Sequence, residues 1–278
     1  MHRRAHSHPV GATPPTAGSS RGGPAATPRG DEVKLCGLAA VRARFARDAA
    51  SIHRLYFDYA TGRKIGVMCK ALAAAKKVYR CVEPAELEKI AGTVHHGGVV
   101  AVATARRVQP VTEADVTRWA TQRTPLLLLD RVGNPHNLGA IARTAAFFGV
   151  ADIIVPQDPA AAVPSDAAYR VAEGGMEAVT VFSVSALPAL MKALAERGYE
   201  VVGAATRGAR PETIRTDRTD AAVALVLGNE EHGLAENVMA ACTRLVTLPG
   251  RETVESLNVS VAAAILVWEF FGRRARRH

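Results

Sequence analysis

The second half of the chain alternates short apolar runs with segments of helical periodicity. The apolar runs lie at residues 126–130, 153–156, 179–184, 199–205, 223–228 and 245–248. Helices are predicted at residues 138–148, 186–197, 234–241 and 256–272. Strands that are apolar on both faces are typical of a parallel sheet covered by helices on both sides. The pattern therefore predicts a parallel-sheet α/β domain over residues 124–278.

The first half divides into three segments. Residues 1–30 are rich in Pro, Gly, Ala, Thr, Ser and Arg, which predicts a disordered basic arm. Residues 31–108 alternate strands (52–57, 78–82, 99–103) with helices (37–49, 64–75 and one that starts near 83), which predicts a smaller α/β domain. Residues 109–123 are polar with one proline, and we interpret them as a linker.

Polar residues and glycines follow several strands of the predicted C-terminal sheet. Ligands of such sheets bind beyond the carboxyl ends of the strands, often at the N-terminus of the next helix. Three segments there combine polar side chains with glycine or proline: Asn137-x-Gly139-x-x-x-Arg143-x-Ala145, Gly228-x-Glu230-x-x-Gly233-Leu234, and Pro249 followed by Ser256-Leu257-Asn258-Val259-Ser260-x-Ala262.

In order and spacing these segments resemble the three motifs of the SpoU (TrmH-type) RNA ribose methyltransferases of the SPOUT superfamily. The resemblance covers about residues 124–272. Gly37 and the segment 93–100 also resemble the substrate-binding domain of that family, which is of the L30e type, although His96 stands where the family more often has Gln.

The resemblance implies a fold that the pattern does not. The pattern alone predicts an open, doubly wound sheet, whereas the family threads its C-terminal chain through a loop to form a deep trefoil knot, a rare topology. The knot loops of the family bind S-adenosylmethionine, and the corresponding contacts fall on Gly228, Leu248 and Leu257. A G-x-G-x-x-G dinucleotide fingerprint is not found.

The implied reaction is methyl transfer to a ribose 2′-oxygen. Arg143 matches the family's catalytic arginine, and orienting the hydroxyl and an adjacent phosphate suits a guanidinium better than proton abstraction does. Asn137 and Ser256 are expected to position Arg143 and the phosphate, and Glu230 and Asn258 to hold the motif loops and the ribose. Ser256, Asn258 and Asn137 are also common helix-start residues.

Charge is distributed unevenly along the 278-residue chain, whose formal net charge is +9. Residues 1–30 carry +4 and 31–108 carry +7, whereas 109–272 carry −6 and the last six residues +4. The basic segments predict RNA as the partner, with a solvated surface as the alternative. The L30e-like domain favours ribosomal RNA over transfer RNA, and the family implies a homodimer through the knot domain, including the last helix.

Composition excludes several other classes. No apolar run reaches the roughly 18–20 residues of a membrane span, and the N-terminus has no signal-peptide core. Four scattered cysteines without a C-x-x-C pair argue against a zinc site or a disulfide framework, and fit a cytoplasmic protein. We expect no metal site at His95 and His96, whose adjacent side chains do not easily face one ion, and we interpret His136 as a loop residue.

Three interpretations remain open at this point. The first is an RNA 2′-O-methyltransferase, and the second is a non-catalytic RNA-binding or ribosome-assembly factor that retains the fold. The third, a nucleotide-dependent enzyme of the open Rossmann type, conflicts with the missing glycine fingerprint. The segment Glu173-Gly174-Gly175 is either a simple turn or a feature that shapes RNA access, and the arginines of 273–278 either favour a helix end or contact phosphates.

Overall fold

The computed structural model describes residues 31–205, 221–229, 231–251 and 256–272. The N-terminal module contains four strands, β1 (Glu32–Cys36), β2 (Ile52–Phe57), β3 (Val78–Cys81) and β4 (Val99–Thr104). Its helices are α1 (Leu38–Asp48), α2 (Tyr59–Gly62), α3 (Gly66–Ala74) and α4 (Pro84–Ala91). The strands form a mixed sheet in the order β1-β4-β2-β3, so the predicted small α/β domain is present and gains β1, which the sequence pattern did not predict.

The C-terminal module is built on a second sheet. Its strands are β5 (Gln109–Pro110), β6 (Leu126–Leu129), β7 (Asp152–Pro156), β8 (Thr180–Val184), β9 (Tyr199–Ala204), β10 (Ala222–Leu227) and β11 (Arg244–Val246). Its helices are α5 (Glu113–Gln122), α6 (Pro135–Phe147), α7 (Asp166–Ala172), α8 (Gly175–Ala178), α9 (Leu187–Glu196), α10 (Glu236–Ala241) and α11 (Val259–Val267), the last followed by a π-helical turn at Trp268–Gly272.

All seven strands of this sheet are parallel, in the order β11-β9-β10-β6-β7-β8-β5. The central strand β6 has buried side chains on both faces, because Leu127 and Leu129 pack into one apolar cluster and Leu126 and Leu128 into the other. This alternation is what two helical layers over a parallel sheet require, so the predicted α/β architecture is confirmed. The trefoil knot stays a prediction, since residues 206–220 and 252–255 lie outside the described residues.

The structure differs from the sequence interpretation at residues 109–123, which form part of the C-terminal module instead of a linker. Strand β5 pairs with β8 at the sheet edge. Thr112 and Asp115 form a reciprocal capping box at the start of α5, and Trp119 of that helix is fully buried with its Nε1 donating to Asp152 at 2.7 Å. The polar residues of this stretch thus cap and cover a helix whose apolar face packs on the sheet.

Two helix starts also differ from the pattern. Helix α6 begins at Pro135, earlier than predicted, because Asn134 caps it by accepting from His136 N at 2.9 Å. Helix α11 begins at Val259 instead of residue 256, because Asn258 is its N-cap. An asparagine cap accounts for both starts, and in α6 a proline at the first helical position adds to it.

A buried ion pair joins the two modules. Arg44 of α1 is 1% exposed, and its Nη2 lies 2.7 Å from Oε1 of Glu177 in α8. Arg44 also donates to Thr104 O at 2.7 Å and to the Tyr169 hydroxyl at 3.2 Å. Burial, together with the Glu177 carboxylate, raises the pKa of Tyr169, so its phenol stays protonated. Helix α1 therefore contacts the C-terminal module through an ion pair that is shielded from water.

Breaking one side of this pair should destabilise the protein strongly. Arg44→Met leaves Glu177 charged and buried, and we expect the free energy of unfolding in urea to fall by about 3–5 kcal/mol. In Arg44→Met/Glu177→Leu neither member of this buried pair remains charged, and at least half of that loss should return. As a control, Arg197→Met, which breaks a largely exposed pair with Glu113, should cost less than about 1 kcal/mol. A double variant as unstable as Arg44→Met would contradict this account.

Candidate functional site

The carboxyl ends of β6, β10, β9 and β11 lie side by side, since these strands are consecutive in the sheet. The backbone of Ala205 donates to Val246 O at 2.9 Å, and the Thr247 hydroxyl donates to Ala205 O at 2.7 Å, so the chain after β9 and after β11 stays paired. Gly228 directly follows β10, and Leu248 lies two residues beyond β11. The segments predicted to hold a ligand therefore all leave the sheet at the carboxyl ends of its strands.

The loop after β10 is closed on itself. Asn229 and Gly233 exchange backbone hydrogen bonds of 3.2 and 2.9 Å. The Asn229 side chain accepts from the amides of Glu231 and His232, and its Nδ2 donates to Arg131 O at 2.9 Å. The loop is thus fixed both within itself and to the end of β6.

Gly228 is required by this loop for steric reasons. A Cβ at this position would lie 2.4 Å from the Gly233 carbonyl carbon and 2.5 Å from Leu234 N. Both neighbours are backbone atoms, which cannot move without opening the loop. The sequence motif glycine is therefore a packing requirement, which is separate from any contact with a ligand.

Asp130 and Arg131 are structural members of the site that the sequence interpretation missed. Asp130 is buried, and its Oδ2 accepts from Ala235 N at 2.7 Å. Arg131 donates to Gly233 O at 3.1 Å. Burial, with the nearby Asp130 carboxylate, raises the pKa of the Cys242 thiol to about 11, so that thiol is protonated at neutral pH. A charged residue directly after a wholly apolar strand was the signal for Asp130.

Asn137 and Asn258 bring the first and third motifs together. Asn258 Nδ2 donates to Asn137 Oδ1 at 3.2 Å, and Asn137 is largely buried. The Asn258 Oδ1 accepts from the Ser260 amide at 2.9 Å and from the Ser260 hydroxyl at 2.6 Å. Asn258 thus caps α11 and also links it to the first turn of α6. The two interpretations of this residue, as a helix-start residue and as a motif residue, therefore hold together.

Arg143 lies on a different face of α6 from Asn137. A separation of six residues places the two side chains about 120° apart around the helix. The Arg143 side chain is 56% exposed, and its Nη2 lies 2.9 Å from Oε2 of Glu173, which is 57% exposed. The structure therefore pairs Arg143 with Glu173, a contact that the sequence did not predict.

The other predicted site residues differ in their exposure to solvent. Ser256 and Leu257 are exposed, and Leu248 is half-buried against the main apolar cluster. Glu230 lies outside the described residues. Leu257, which is exposed, and Leu248, which is half-buried, offer apolar surface on segments that also carry polar main-chain groups, the combination that a nucleoside-containing ligand requires. The residues present therefore fit such a ligand.

Among the described residues, no group of three or more His, Cys, Asp or Glu side chains could hold a metal ion. In the same part of the chain, every helix is too short or too polar to cross a bilayer.

Comparisons with known proteins agree with the motif assignment. Residues 124–268 match the model of the SpoU rRNA methylase family, and residues 34–109 match the model for RNA 2′-O ribose methyltransferase substrate binding. A protein of Nitrosomonas europaea named 23S rRNA (guanosine-2′-O-)-methyltransferase RlmB is 35% identical over 87% of this chain and 92% of its own length. A protein of the same name from Ralstonia nicotianae is 36% identical over 87% of this chain and 96% of its own length.

A solved structure supports the fold. The SpoU methyltransferase AviRb of Streptomyces viridochromogenes, crystallised with its cofactor AdoMet, superposes with a TM-score of 0.66 at 22% identity, over 89% of this chain and 92% of its own. The alignment covers 89% of this chain, which is more than either module contains, so the agreement extends over both modules. With the two family models and the two relatives, it leads to one conclusion: this chain belongs to the SpoU rRNA methylase family.

Proposed function

We propose that this protein transfers a methyl group from S-adenosylmethionine to a ribose 2′-hydroxyl of RNA, and that its substrate is ribosomal RNA. The observation that carries the proposal is the hydrogen bond between Asn137 and Asn258, which joins the first and third of the three family motifs. Relatives named as 23S rRNA methyltransferases, aligned across both modules, favour ribosomal over transfer RNA.

The cofactor would be held by the loops at the carboxyl edge of β10 and β11. Gly228 keeps the loop 229–233 closed, and Leu248 and Leu257 supply apolar surface beside main-chain amides and carbonyls. Bound there, S-adenosylmethionine supplies an activated methyl group for transfer to an oxygen. Asn137 and Asn258 hold the first turn of α6 and the start of α11 against this edge.

Arg143 is the residue that acts on the RNA. A ribose hydroxyl is a poor nucleophile, so its proton must pass to water as the oxygen takes the methyl group, and the methyl donor would leave as a neutral thioether. A guanidinium group keeps its own protons at neutral pH, so it orients the hydroxyl and the adjacent phosphate by donating hydrogen bonds. Alignment of the oxygen with the methyl group then supplies much of the rate. Ser256 contributes to positioning the phosphate, and Glu230 to holding the ribose.

The N-terminal module is the RNA-binding part of the protein. Residues 31–108 hold 14 of the 35 Lys and Arg residues against seven of the 26 Asp and Glu residues. An excess of cations on one module attracts a polyanion, and RNA affinity should fall steeply as salt rises. We infer that the protein meets its substrate in the cytoplasm.

A homodimer through the C-terminal module is part of the proposal. Val261 and Ile265, one turn apart on α11, are 48% and 38% exposed, and Phe147 at the end of α6 is 82% exposed. Phe148 contacts both the Phe147 and the Trp268 rings, with centroids 5.0 and 5.7 Å apart. Apolar side chains exposed on two packed helices are typical of a subunit interface, and a second copy of the same helices is their expected partner.

Arg143→Ala should reduce methyl transfer at least about a hundredfold, because the donors that orient the 2′-hydroxyl are removed. The measurement is transfer of labelled methyl groups to ribosomal RNA transcribed in vitro, followed by alkaline digestion, which leaves a 2′-O-methylated dinucleotide intact. Affinity for S-adenosylmethionine should change less than twofold in calorimetry.

Arg197→Ala, which lies at the end of α9, is the matched control and should retain full activity. Retained turnover in Arg143→Ala would refute the role of this arginine. If the unchanged protein binds RNA and cofactor but incorporates no label, the result would favour a non-catalytic RNA-binding factor.

Gly228→Ala should weaken S-adenosylmethionine binding about tenfold or more, since the new methyl group must displace the backbone of the 229–233 loop at a cost of about 1–3 kcal/mol. Calorimetric titration measures this without turnover. Gly66→Ala is the control, because a Cβ there meets no atom within 4 Å. Equal cofactor affinity in both variants would remove Gly228 from the cofactor site.

Ile265→Asp should convert a dimer into monomers in sedimentation-velocity experiments, because it places a charge in the proposed apolar interface. Val67→Asp introduces the same charge at a residue that is 78% exposed on the N-terminal module, and should leave the dimer intact. The dimer proposal fails if the unchanged protein sediments as a monomer at micromolar concentration.

A further inference from the structure

We propose that Glu173 is a positioning residue for Arg143, and that the N-terminal module fixes Glu173 through the turn 173–177. The inference rests on the proposed function, because it assigns a role to the partner of the proposed catalytic arginine. Arg143 Nη2 and Glu173 Oε2 are 2.9 Å apart, so the carboxylate fixes the direction of the guanidinium while leaving its other nitrogens to reach RNA.

The backbone at Glu173 has an unusual conformation. Glu173 ends α7 with φ of 44° and ψ of 44°, in the left-handed region that residues other than glycine rarely adopt. Such a conformation persists where the surroundings fix it, and it is found preferentially at functional sites. Arg123 ends α5 in the same left-handed region, so the conformation alone does not mark a site, and the inference rests on the contact of Glu173 with Arg143.

The glycines that follow are enclosed by two helices. A Cβ on Gly174, whose φ is 96°, would lie 3.2 Å from Ala39 O and 3.1 Å from the Ala43 Cβ of α1. A Cβ on Gly175 would lie 2.7 Å from the Arg143 Cα. The turn is thus in direct contact with the N-terminal helix on one side and with the backbone of Arg143 on the other.

Arginines from the N-terminal side hold the next residues of the turn. Arg44 pairs with the Glu177 carboxylate, and Arg47 donates to Glu177 O at 2.6 Å. Arg106 donates to Met176 O at 2.7 Å and to Val179 O at 2.8 Å. Three side chains of the RNA-binding module therefore fix residues 176–179, and through the two glycines they fix the position of Glu173.

Through these contacts, the position of the N-terminal module against the turn 173–177 determines how the side chain of Arg143, the proposed catalytic residue, is oriented. The Arg143–Glu173 pair is exposed, so it contributes little to stability. Its effect is expected on the rate of the bound complex, since misplacing a reacting group by about 1 Å can cost two orders of magnitude. If Glu173 acted only by repelling RNA, its removal would lower KM for RNA and leave kcat unchanged. A positioning role predicts a lower kcat instead.

The test is Glu173→Ala, with Glu173→Gln as the conservative variant, in the full-length protein. With transcribed ribosomal RNA, we expect kcat to fall about tenfold in Glu173→Ala and about threefold in Glu173→Gln, which keeps an acceptor for the guanidinium. KM for RNA should stay equal or fall, and the unfolding temperature should not change. Glu196→Ala, an exposed carboxylate on α9, is the control.

Coupling to the N-terminal module is tested with Arg47→Met, which removes one tether of the turn. It should lower kcat, and the effect should not add to that of Glu173→Ala, since both act through the same guanidinium. Full additivity would overturn the coupling. A kcat for Glu173→Ala within twofold of the unchanged protein would overturn the positioning role.

A second measurement does not need turnover. The Nη–H signals of Arg143, assigned by their loss in Arg143→Lys, should stand apart from the other arginine signals in the nitrogen-15 NMR spectrum at low temperature and move to the exposed-arginine region in Glu173→Ala. Unchanged signals overturn the proposal even if the protein proves inactive. If Arg143→Ala retains activity while the signals move, the catalytic role proposed for Arg143 fails and the contact with Glu173 stands.

Discussion

Close backbone packing around α6 determines where the site residues lie. At Gly139, a Cβ would come within 2.5 Å of Ala168 O in α7, and at Gly175 within 2.7 Å of the Arg143 Cα. Without side chains at these two contacts, α7 and α8 approach α6 at backbone distance, and the whole turn between them is fixed against it. Asn137 and Arg143 are both on α6, so their separation and direction follow from this packing. A larger residue at either glycine would move the helices that pack against α6, even though neither glycine bears a reactive group.

The same packing explains why a buried ion pair occurs between the modules. Taking Arg44 and Glu177 out of water costs several kcal/mol for each ion, and hydrogen bonds to Thr104 O and Tyr169 offset part of that cost. An apolar contact of the same volume would give comparable stability with less directionality. The ion pair permits only one position of α1 against the 173–177 turn. Gly174, which has no side chain, allows the helix to approach the turn closely. Specificity of seating, more than stability, is what this pair contributes.

Much of the architecture could be predicted from the sequence because the relevant signals are local. Wholly apolar runs predicted the parallel strands, and motif spacing predicted that Asn137, Gly228 and Asn258 belong to one edge of the sheet. Residues 109–123 were misread because a capped amphipathic helix has polar ends, and its two buried residues, Val116 and Trp119, are too few to give a clear periodic signal. The Glu173 contact could not be predicted, since it depends on a left-handed backbone and on a helix thirty residues earlier. Neither of these is encoded in the composition of the turn.

Exposure of the Arg143–Glu173 pair is consistent with a guanidinium that must reach a substrate while it keeps its partner. Burial would close every donor of the guanidinium to a substrate, as it does for Arg44, whereas an exposed pair leaves the remaining donors open to a phosphate. Carboxylate and phosphate oxygens accept from a guanidinium with the same forked geometry, so RNA can take up free donors without the arginine reorienting. The two arginines, one on α1 and one on α6, thus differ in burial in the way their tasks require. Arg44 fixes the turn permanently, and Arg143 is directed by that turn while remaining open to solvent.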